Sequence, residues 1–260
     1  SAPRILASDP DQGLLLIEDL GDDLFARVAA STPDLETEMY QTAVMALVHL
    51  HDQPVPNWAT PYDLQTLTTL ACLAFDWYVD APAPAPVQDQ LNALFAETRD
   101  LTGVLTLRDY HAENLLWLPD RNGVARAGLL DFQDAMSGHR AYDLVSLIDD
   151  ARRDLTPGLG KRLVDLYHAE TGVPETEFRR DLAVMGAQRN LRILGVFARL
   201  AIRDGKPGYL PLLPRVWRHL MNDLAHPALG SLKDLLLAKL PPPDGQQLDR
   251  LKARCAPTPP

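Results

Sequence analysis

Two apolar runs, each with carboxylate or amide side chains at its edge, constrain the fold of this chain more than any other feature. The first run, residues 104–118, is interrupted by the polar loop Arg108-Asp-Tyr-His-Ala-Glu-Asn114. A turn-forming cluster, residues 119–123, separates it from a second run, residues 124–130, which ends in Asp131. Apolar runs joined by turn residues are typical of a β-hairpin. The pattern therefore predicts a hairpin that brings the polar loop and Asp131 to the same end.

This arrangement of polar side chains suits phosphoryl transfer. The reaction needs a carboxylate near the attacking hydroxyl, and it needs hard oxygen ligands for the Mg²⁺ ion that bridges the phosphates of ATP. Asp109 is our candidate for the group that orients or deprotonates the hydroxyl. Asn114 and Asp131 are the candidate metal ligands. The alternative interpretation is a polar hairpin whose acids simply face solvent.

The same residues carry a resemblance to a known family. Residues 108–114 resemble the catalytic loop of aminoglycoside phosphotransferase-like kinases, which follows a His-Gly-Asp-x-x-x-x-Asn pattern. Leu130-Asp-Phe-Gln-Asp134 resembles their metal-binding segment, which is related to the Asp-Phe-Gly of protein kinases. Ala141-Tyr-Asp-Leu-Val-Ser-Leu147 resembles the helix that follows, and Asp143 resembles the family's buried acid that braces the catalytic loop. The resemblance covers roughly residues 4–203.

One position departs from the family pattern. Arg108 precedes Asp109 where relatives usually have Gly. The subgroup that phosphorylates cell-wall amino sugars tolerates Arg at this position, so the departure favours that subgroup. The resemblance then implies ATP-dependent transfer to a hydroxyl of a small molecule, namely the anomeric hydroxyl of N-acetylmuramate or N-acetylglucosamine.

The resemblance also implies an architecture. We expect an α+β, protein-kinase-like fold that consists mainly of the helical C-lobe, with the catalytic β-hairpin and a remnant of the N-lobe sheet. Residues 1–22 would be that remnant and the inter-lobe linker, residues 23–240 the helical C-lobe, and residues 241–260 a mobile Pro-rich tail. Neither a Gly-rich phosphate loop nor a strand Lys lies ahead of Arg4, so we expect most of the N-lobe to be missing from this chain.

Further site residues follow from the resemblance. Glu18-Asp-Leu20 resembles the inter-lobe linker, in which main-chain groups of Glu18 and Leu20 would hydrogen-bond the adenine ring of ATP. An ordinary hairpin leading into a helix is the alternative. Candidate substrate-binding residues are His111, Glu113, Asp134 and Arg192. For His111 the alternative role is support of the loop. Arg189 and Arg192 could bind a carboxylate-bearing sugar, because an arginine fork suits a carboxylate. The alternative for these two arginines is simple exposure to solvent on a helix.

The helical pattern predicts the remaining elements. Apolar residues at helical spacing predict helices over these ranges: residues 34–51, 61–79, 87–101 and 142–153, with helices throughout 158–240. Residues 135–140 are predicted to form a polar loop.

Charge and cysteine content exclude several classes of protein. Lys plus Arg number 25 and Asp plus Glu number 35, giving a net charge of −10, which argues against a nucleic-acid binder. Cys72 and Cys255 have no partner at metal-ligand spacing and are interpreted as reduced thiols of a cytoplasmic protein. No apolar run is long enough for a membrane span, and no secretory signal is evident. Nothing in the sequence indicates an oligomeric state.

Three other functions stay open. The same chemistry could act on an aminoglycoside or choline, which the net acidity favours and Arg108 disfavours. A catalytically inactive pseudokinase or binding module would explain the absent Gly-rich loop and Lys, but it need not keep Asp109, Asn114 and Asp131. Metal-dependent hydrolysis is disfavoured because no His-rich metal set accompanies these acids.

Overall fold

The computed structural model describes residues 1–255, in which antiparallel strand pairs lie beside a set of packed helices. The strands are β1 Ile5–Asp9, β2 Leu14–Ile17, β3 Val104–Thr106, β4 Leu115–Trp117, β5 Ala127–Leu129 and β6 Met136–Gly138. The helices are α1 Phe25–Ser31, α2 Glu36–His51, α3 Leu64–Leu73, α4 Ala85–Ala96, α5 Ala141–Ile148, α6 Leu159–Thr171, α7 Glu175–Ile202, α8 Leu213–Asp223, α9 Gly230–Leu237 and α10 Gly245–Ala253. A π-helical segment, Ala74–Val79, continues α3.

The predicted hairpin is present. Strands β4 and β5 pair antiparallel, with Leu115 opposite Leu129 and Trp117 opposite Ala127. Beyond the end of the ladder, the backbone N–H of Leu130 donates to the carbonyl of Asn114 at 3.0 Å. This bond fixes Asn114 beside Asp131, as the apolar pattern predicted.

Strand β3 has a partner that the sequence did not predict. It pairs with β6, which lies inside the predicted polar loop 135–140, and Val104 is opposite Gly138 in the ladder. A Cβ atom on Gly138 would lie 2.5 Å from Oγ1 of Thr106, so only glycine allows the two strands to approach this closely. A short polar strand carries no periodicity of its own, and its pairing depends on a distant partner.

Helix α5 ends at Ile148 rather than at the predicted Arg153. The carboxylate of Asp150 accepts the backbone N–H of Arg152 at 2.8 Å, which is a local turn that competes with the helix. Asp149 and Arg153, on either side of this turn, form ion pairs with residues distant in the sequence. Asp149 contacts His219 at 3.2 Å, and Arg153 contacts Glu36 at 2.6 Å.

The predicted mobile tail is wrong for most of its length. Helix α10 occupies its centre, and its first turn is capped by Asp244, whose side chain accepts the N–H of Gln247 at 2.9 Å. Leu251 is fully buried, and the Gln247 side chain donates to the carbonyl of Tyr78 at 2.9 Å. Burial of Leu251 anchors this segment to the core. Residues 256–260 lie outside the described residues.

Helix α7 is the central element of the core. It packs against α3, α5, α8 and the π-helical segment, and buried side chains surround most of its circumference. Gly195 lies at its closest crossing, directly beneath the backbone of Leu73. The crossing falls where the regular α-helix of α3 gives way to π-helical turns. Only a glycine at position 195 therefore allows α7 to approach the backbone of Leu73 this closely.

Strands β1 and β2 pair with each other but bury little. Their large apolar side chains are exposed to between 48% and 65%: Ile5, Leu6, Leu14, Leu15, Leu16 and Ile17. Such a run of exposed aliphatic side chains is unusual for the surface of a monomeric soluble protein.

Within residues 1–255, no helix is both long enough and apolar enough to cross a lipid bilayer.

Buried His51 makes the stability of the fold depend on pH. Its Nδ1 lies 2.7 Å from the Tyr167 hydroxyl, and burial lowers the pKa of His51 to about 3. In the unfolded chain the His51 ring therefore binds a proton below about pH 6.5, whereas in the folded chain it stays neutral down to about pH 3. Because the folded pKa is depressed, this contribution to stability is complete above pH 6.5 and is lost as the pH falls toward 3.

We expect His51→Phe to reduce that pH dependence. Urea unfolding at pH 7.5, 6, 5 and 4 should show a smaller fall in unfolding free energy for the variant than for the parent. The difference in slope should be up to about 1.4 kcal/mol per pH unit. The variant should also be less stable at pH 7.5, because the buried Tyr167 hydroxyl loses its hydrogen bond with His51. Parallel pH profiles for the two proteins would contradict the assignment.

Candidate active site

The loop that carries Asp109 begins with a left-handed residue. Arg108 has φ of +74°, a conformation that costs a non-glycine side chain roughly 1 kcal/mol or more. This is why a glycine is favoured at the position. Asp143 holds the turn in place, because its carboxylate accepts the backbone N–H groups of Leu107 at 2.6 Å and Arg108 at 2.8 Å. The bracing role predicted for Asp143 is thus present in the structure.

Asp143 is completely buried. Burial raises the pKa of this carboxyl group to about 7, although the two backbone N–H donors act in the opposite direction. The group therefore holds the loop by hydrogen bonds from the protein backbone alone.

The Arg108 side chain links the loop 108–114 to the segment 130–134. Its Nη1 donates to the carbonyl of Asp134 at 3.1 Å and lies 4.0 Å from the Asp134 carboxylate. The guanidinium lies over the ring of Tyr62, 5.3 Å from the centroid, in a cation–π contact. These contacts help to offset the backbone strain at Arg108.

Asp109, Asn114 and Asp131 lie together. The Asn114 side-chain amide donates to the carbonyl of Asp109 at 3.0 Å and to Oδ2 of Asp131 at 3.3 Å. All three line one cavity of about 360 Å³ between the catalytic hairpin and helix α7. The structure therefore brings together the candidate catalytic residue and the two candidate metal ligands that the sequence predicted.

The polar groups at the mouth of this cavity fit a magnesium ion. Because the Asn114 amide nitrogen donates to Asp131, the amide oxygen of Asn114 is left available as a ligand. Within residues 1–255 no group of three or more His, Cys, Asp or Glu side chains could hold a metal on its own. Mg²⁺ commonly takes only one or two protein oxygens and completes its shell with water and phosphate.

Arg192 reaches the cavity from helix α7. Its side chain is only 13% exposed, and its Nη1 lies 3.7 Å from Oδ1 of Asp109 and 3.1 Å from the Tyr142 hydroxyl. Burial acts to lower the pKa of Arg192, but the neighbouring Tyr142, Tyr62 and Asp109 raise it by more. The net pKa is raised, so the guanidinium stays charged. Simple exposure on a helix, the alternative considered from the sequence, is excluded.

His111 and Glu113 also line the cavity. His111 is buried, and its Nδ1 accepts the backbone N–H of Glu113 at 3.3 Å. Burial is the main cause that lowers the pKa of His111 to about 4, so its ring is neutral near pH 7. Asp134, in contrast, has a carboxylate that is 65% exposed and does not line this cavity.

The nucleotide candidates lie apart from this cavity. Glu18 forms ion pairs with Arg121 at 2.9 Å and with Arg4 at 3.4 Å. Leu20 lines a separate shallow cavity of about 260 Å³, between the segment after β2 and the turn of the β4–β5 hairpin. Trp117 and Pro119 form part of the same wall.

Apart from Arg189, the sequence did not identify the far wall of the cavity. Its apolar side is formed by Ile193, Val196, Phe197, Leu200 and Tyr209, and Arg152 and Arg189 add charge. The α7 members recur at the spacing of one helical face, a pattern that predicts a helix but not a cavity wall. A cavity wall and a core face share this periodicity, so spacing alone does not separate them.

Comparison with known proteins defines the class to which this fold and site belong. Residues 1–183 match the phosphotransferase enzyme family, and the chain belongs to this family. The predicted class, an ATP-dependent phosphotransferase with an alcohol group as acceptor, is thereby confirmed.

Two particular relatives carry the same name. The chain is 41% identical over 251 residues to the N-acetylmuramate/N-acetylglucosamine kinase of Caulobacter vibrioides, a match that covers 90% of this chain and 69% of the relative. It is 33% identical to the kinase of the same name from Pseudomonas aeruginosa, over 92% of this chain and 73% of the relative.

A solved structure supports the kinase-like fold. A choline/ethanolamine kinase family protein from Mesorhizobium loti superposes with a TM-score of 0.55 at 14% identity, covering 97% of this chain and 78% of that one. At this identity the likeness concerns the fold alone, and the predicted α+β, protein-kinase-like class is confirmed at that level.

Proposed function

We propose that this chain transfers the γ-phosphoryl group of ATP to a hydroxyl of N-acetylmuramate or N-acetylglucosamine. The observation that carries the proposal is the convergence of Asp109, Asn114 and Asp131 on one cavity of about 360 Å³, a size suited to a single sugar. Two relatives named as kinases of these sugars support the choice of acceptor.

In this proposal Asp109 acts on the acceptor hydroxyl. Its carboxylate orients the hydroxyl and accepts its proton as the oxygen attacks the γ-phosphorus, while the bond from that phosphorus to the β,γ-bridging oxygen breaks and ADP leaves. Arg192, 3.7 Å from Asp109, offers positive charge to the phosphoryl oxygens during transfer. Neutral His111 supports the loop through its bond with the Glu113 backbone, and Glu113 is placed to contact a sugar hydroxyl.

Asn114 and Asp131 would hold Mg²⁺ through the amide and carboxylate oxygens. When bound, the ion neutralises charge on the phosphates of ATP. Asp131 has φ of +55°, and Gln133 donates to its carboxylate. Gln133 contacts Oδ1 of that carboxylate and Asn114 contacts Oδ2, so both oxygens are held.

The apolar wall suits the face of a sugar ring and the methyl group of an N-acetyl substituent. Phe197 and Tyr209 lie with ring centroids 5.0 Å apart at that wall. Aromatic faces pack well against the C–H groups of a pyranose because that surface is apolar, whereas the hydroxyls point to the rim.

We further propose that β1–β2 is the part of the N-lobe sheet that adjoins the linker, and that backbone groups of Glu18 and Leu20 contact adenine. The exposed aliphatic side chains of β1 and β2 support this, because further strands would cover them. Asp134 is then a contact of Arg108 rather than of substrate, since its carboxylate lies off the cavity.

The cavity charges bear on the rival acceptors. Three arginines, Arg152, Arg189 and Arg192, line it together with the acids Asp109, Glu113 and Asp131. The arginines offer a counter-charge to an acidic acceptor, which the cationic aminoglycosides and choline do not need. A binding module without catalysis is disfavoured because Asp109, Asn114 and Asp131, the kinds of group that phosphoryl transfer needs, all line one cavity.

The test is ADP formation by the longest natural protein that contains this chain, with Mg²⁺ and each acceptor in turn. N-acetylmuramate and N-acetylglucosamine should be turned over, and kanamycin and choline should not. The sugar product should lose its reducing end, because the phosphate occupies the anomeric carbon. Turnover of choline or kanamycin alone would reassign the acceptor, and no turnover of any acceptor would favour the binding module.

A further inference from the structure

Arg189 is a buried guanidinium without a carboxylate. It is 3% exposed. Yet within residues 1–255 no Asp or Glu oxygen lies within 4.0 Å of its guanidinium nitrogens, the limit for an ion pair. Its Nη1 donates only to the carbonyl of Asp149 at 3.3 Å, and its Nε has no hydrogen-bond partner. Buried charges in proteins are ordinarily paired, because desolvation without a counter-charge is costly.

Arg189 faces the cavity of the proposed active site. Along helix α7 it precedes Arg192 by three residues and Ile193 by four, so the three side chains lie on one face. Arg192 faces Asp109, where the chemistry is proposed. Arg189 is therefore displaced by about one helical turn, roughly 5 Å, from the reacting end.

Arg152 adds a second unpaired guanidinium to the same cavity. The turn after α5 carries it, and Asp150 fixes the backbone of that turn by accepting the N–H of Arg152 at 2.8 Å. Among the described residues no carboxylate forms an ion pair with the Arg152 side chain either. Two unpaired guanidinium groups thus border one small cavity.

The acids around these arginines have other partners. Asp149 lies 3.2 Å from His219, and Asp223 accepts the side-chain amide of Asn190 at 2.9 Å. Asp150 accepts the Arg152 backbone N–H with Oδ1, and its buried Oδ2 forms no hydrogen bond or ion pair with either arginine; Asp109 faces Arg192. The positive charge of Arg152 and Arg189 is therefore left for a ligand.

We infer that Arg152 and Arg189 form a carboxylate subsite that makes this enzyme prefer an acidic amino sugar over a neutral one. The inference rests on the proposed function. N-acetylmuramate is N-acetylglucosamine with a lactyl ether on O3, and the lactyl carboxylate is the only charge that separates the two acceptors. Guanidinium groups bind carboxylates with paired, charge-assisted hydrogen bonds. The subsite lies beyond the reacting end, as a substituent remote from the anomeric hydroxyl requires.

The test compares both sugars in one enzyme. Arg152→Gln and Arg189→Met should each lower the ratio of kcat/KM for N-acetylmuramate to that for N-acetylglucosamine by about 10- to 100-fold. Arg199→Gln is the matched control: it also lies on α7 with an unpartnered Nε, but it does not line the cavity, so the ratio should stay within about twofold. Thermal melting of each variant checks the fold. Should Arg189→Met fail to fold, the half-buried Arg152 decides the result.

The methyl ester of N-acetylmuramate supplies a second readout. The parent should use the ester much less well than the acid, whereas Arg152→Gln should use the two almost equally. An unchanged ratio in both variants would overturn the subsite and leave the sugar kinase intact. Equal losses with both sugars would place the arginines in a shared step and also overturn it. A parent that used neither sugar would instead defeat the proposed function, and the subsite with it.

Discussion

Asp109→Asn should lower kcat by about 10²- to 10⁴-fold while KM for the sugar changes little. The amide cannot accept the hydroxyl proton, and it loses the charge that pairs with Arg192 at 3.7 Å. The rest of the site should be retained, because the loop is held by backbone bonds to Asp143 and by the Asn114 bond to the Asp109 carbonyl. The measurement is steady-state ADP formation at saturating acceptor, with far-UV circular dichroism to confirm the fold.

Asp89→Asn provides the control for Asp109→Asn. Asp89 is an exposed acid on α4 and does not line the cavity. The same change of charge there should leave kcat within about twofold of the parent. Retention of more than a tenth of the parental kcat by Asp109→Asn would remove Asp109 from its proposed role.

Gly195→Ala should destabilise the protein by about 3 kcal/mol. The added Cβ would lie 2.2 Å from the carbonyl carbon of Leu73 and 2.4 Å from its oxygen. These are backbone atoms, so rotation of a side chain cannot relieve the overlap. Helices α3 and α7 must separate, which opens gaps in the core around a crossing that is otherwise close-packed. The gain in helix propensity from Gly to Ala, about 1 kcal/mol, is too small to offset this.

Gly160→Ala isolates the propensity effect. Gly160 lies in the first turn of α6, and a Cβ there would meet its nearest neighbours at 3.9 Å, an ordinary contact. This variant should match the parent or gain up to about 1 kcal/mol. Urea unfolding monitored by circular dichroism measures both variants. Equal midpoints for Gly195→Ala and the parent would show that the helix crossing can relax.

The candidate site was predictable to the extent that its residues are neighbours in the chain. Asp109, Asn114 and Asp131 border short apolar runs, and a single hairpin brings them together, so their proximity followed from local pattern. The predicted family is confirmed for the same reason, since its motifs are local. Arg108 was recognised as a departure from the family pattern, but its φ of +74° and its contact with Asp134 emerged only in three dimensions.

The remaining features depend on contacts between segments far apart in the sequence. β6 is a strand because β3 lies beside it, and α10 is ordered because Leu251 finds a place in the core. Arg189 and Arg192 share the apolar period of α7, and nothing in that period distinguishes a core face from a cavity wall. The sequence by itself therefore determined the catalytic hairpin, the polar residues at its end and the class of reaction. Only the tertiary structure decided which side chains are buried, which charges remain unpaired and what the far wall of the cavity can bind, because burial depends on the packing of the whole chain.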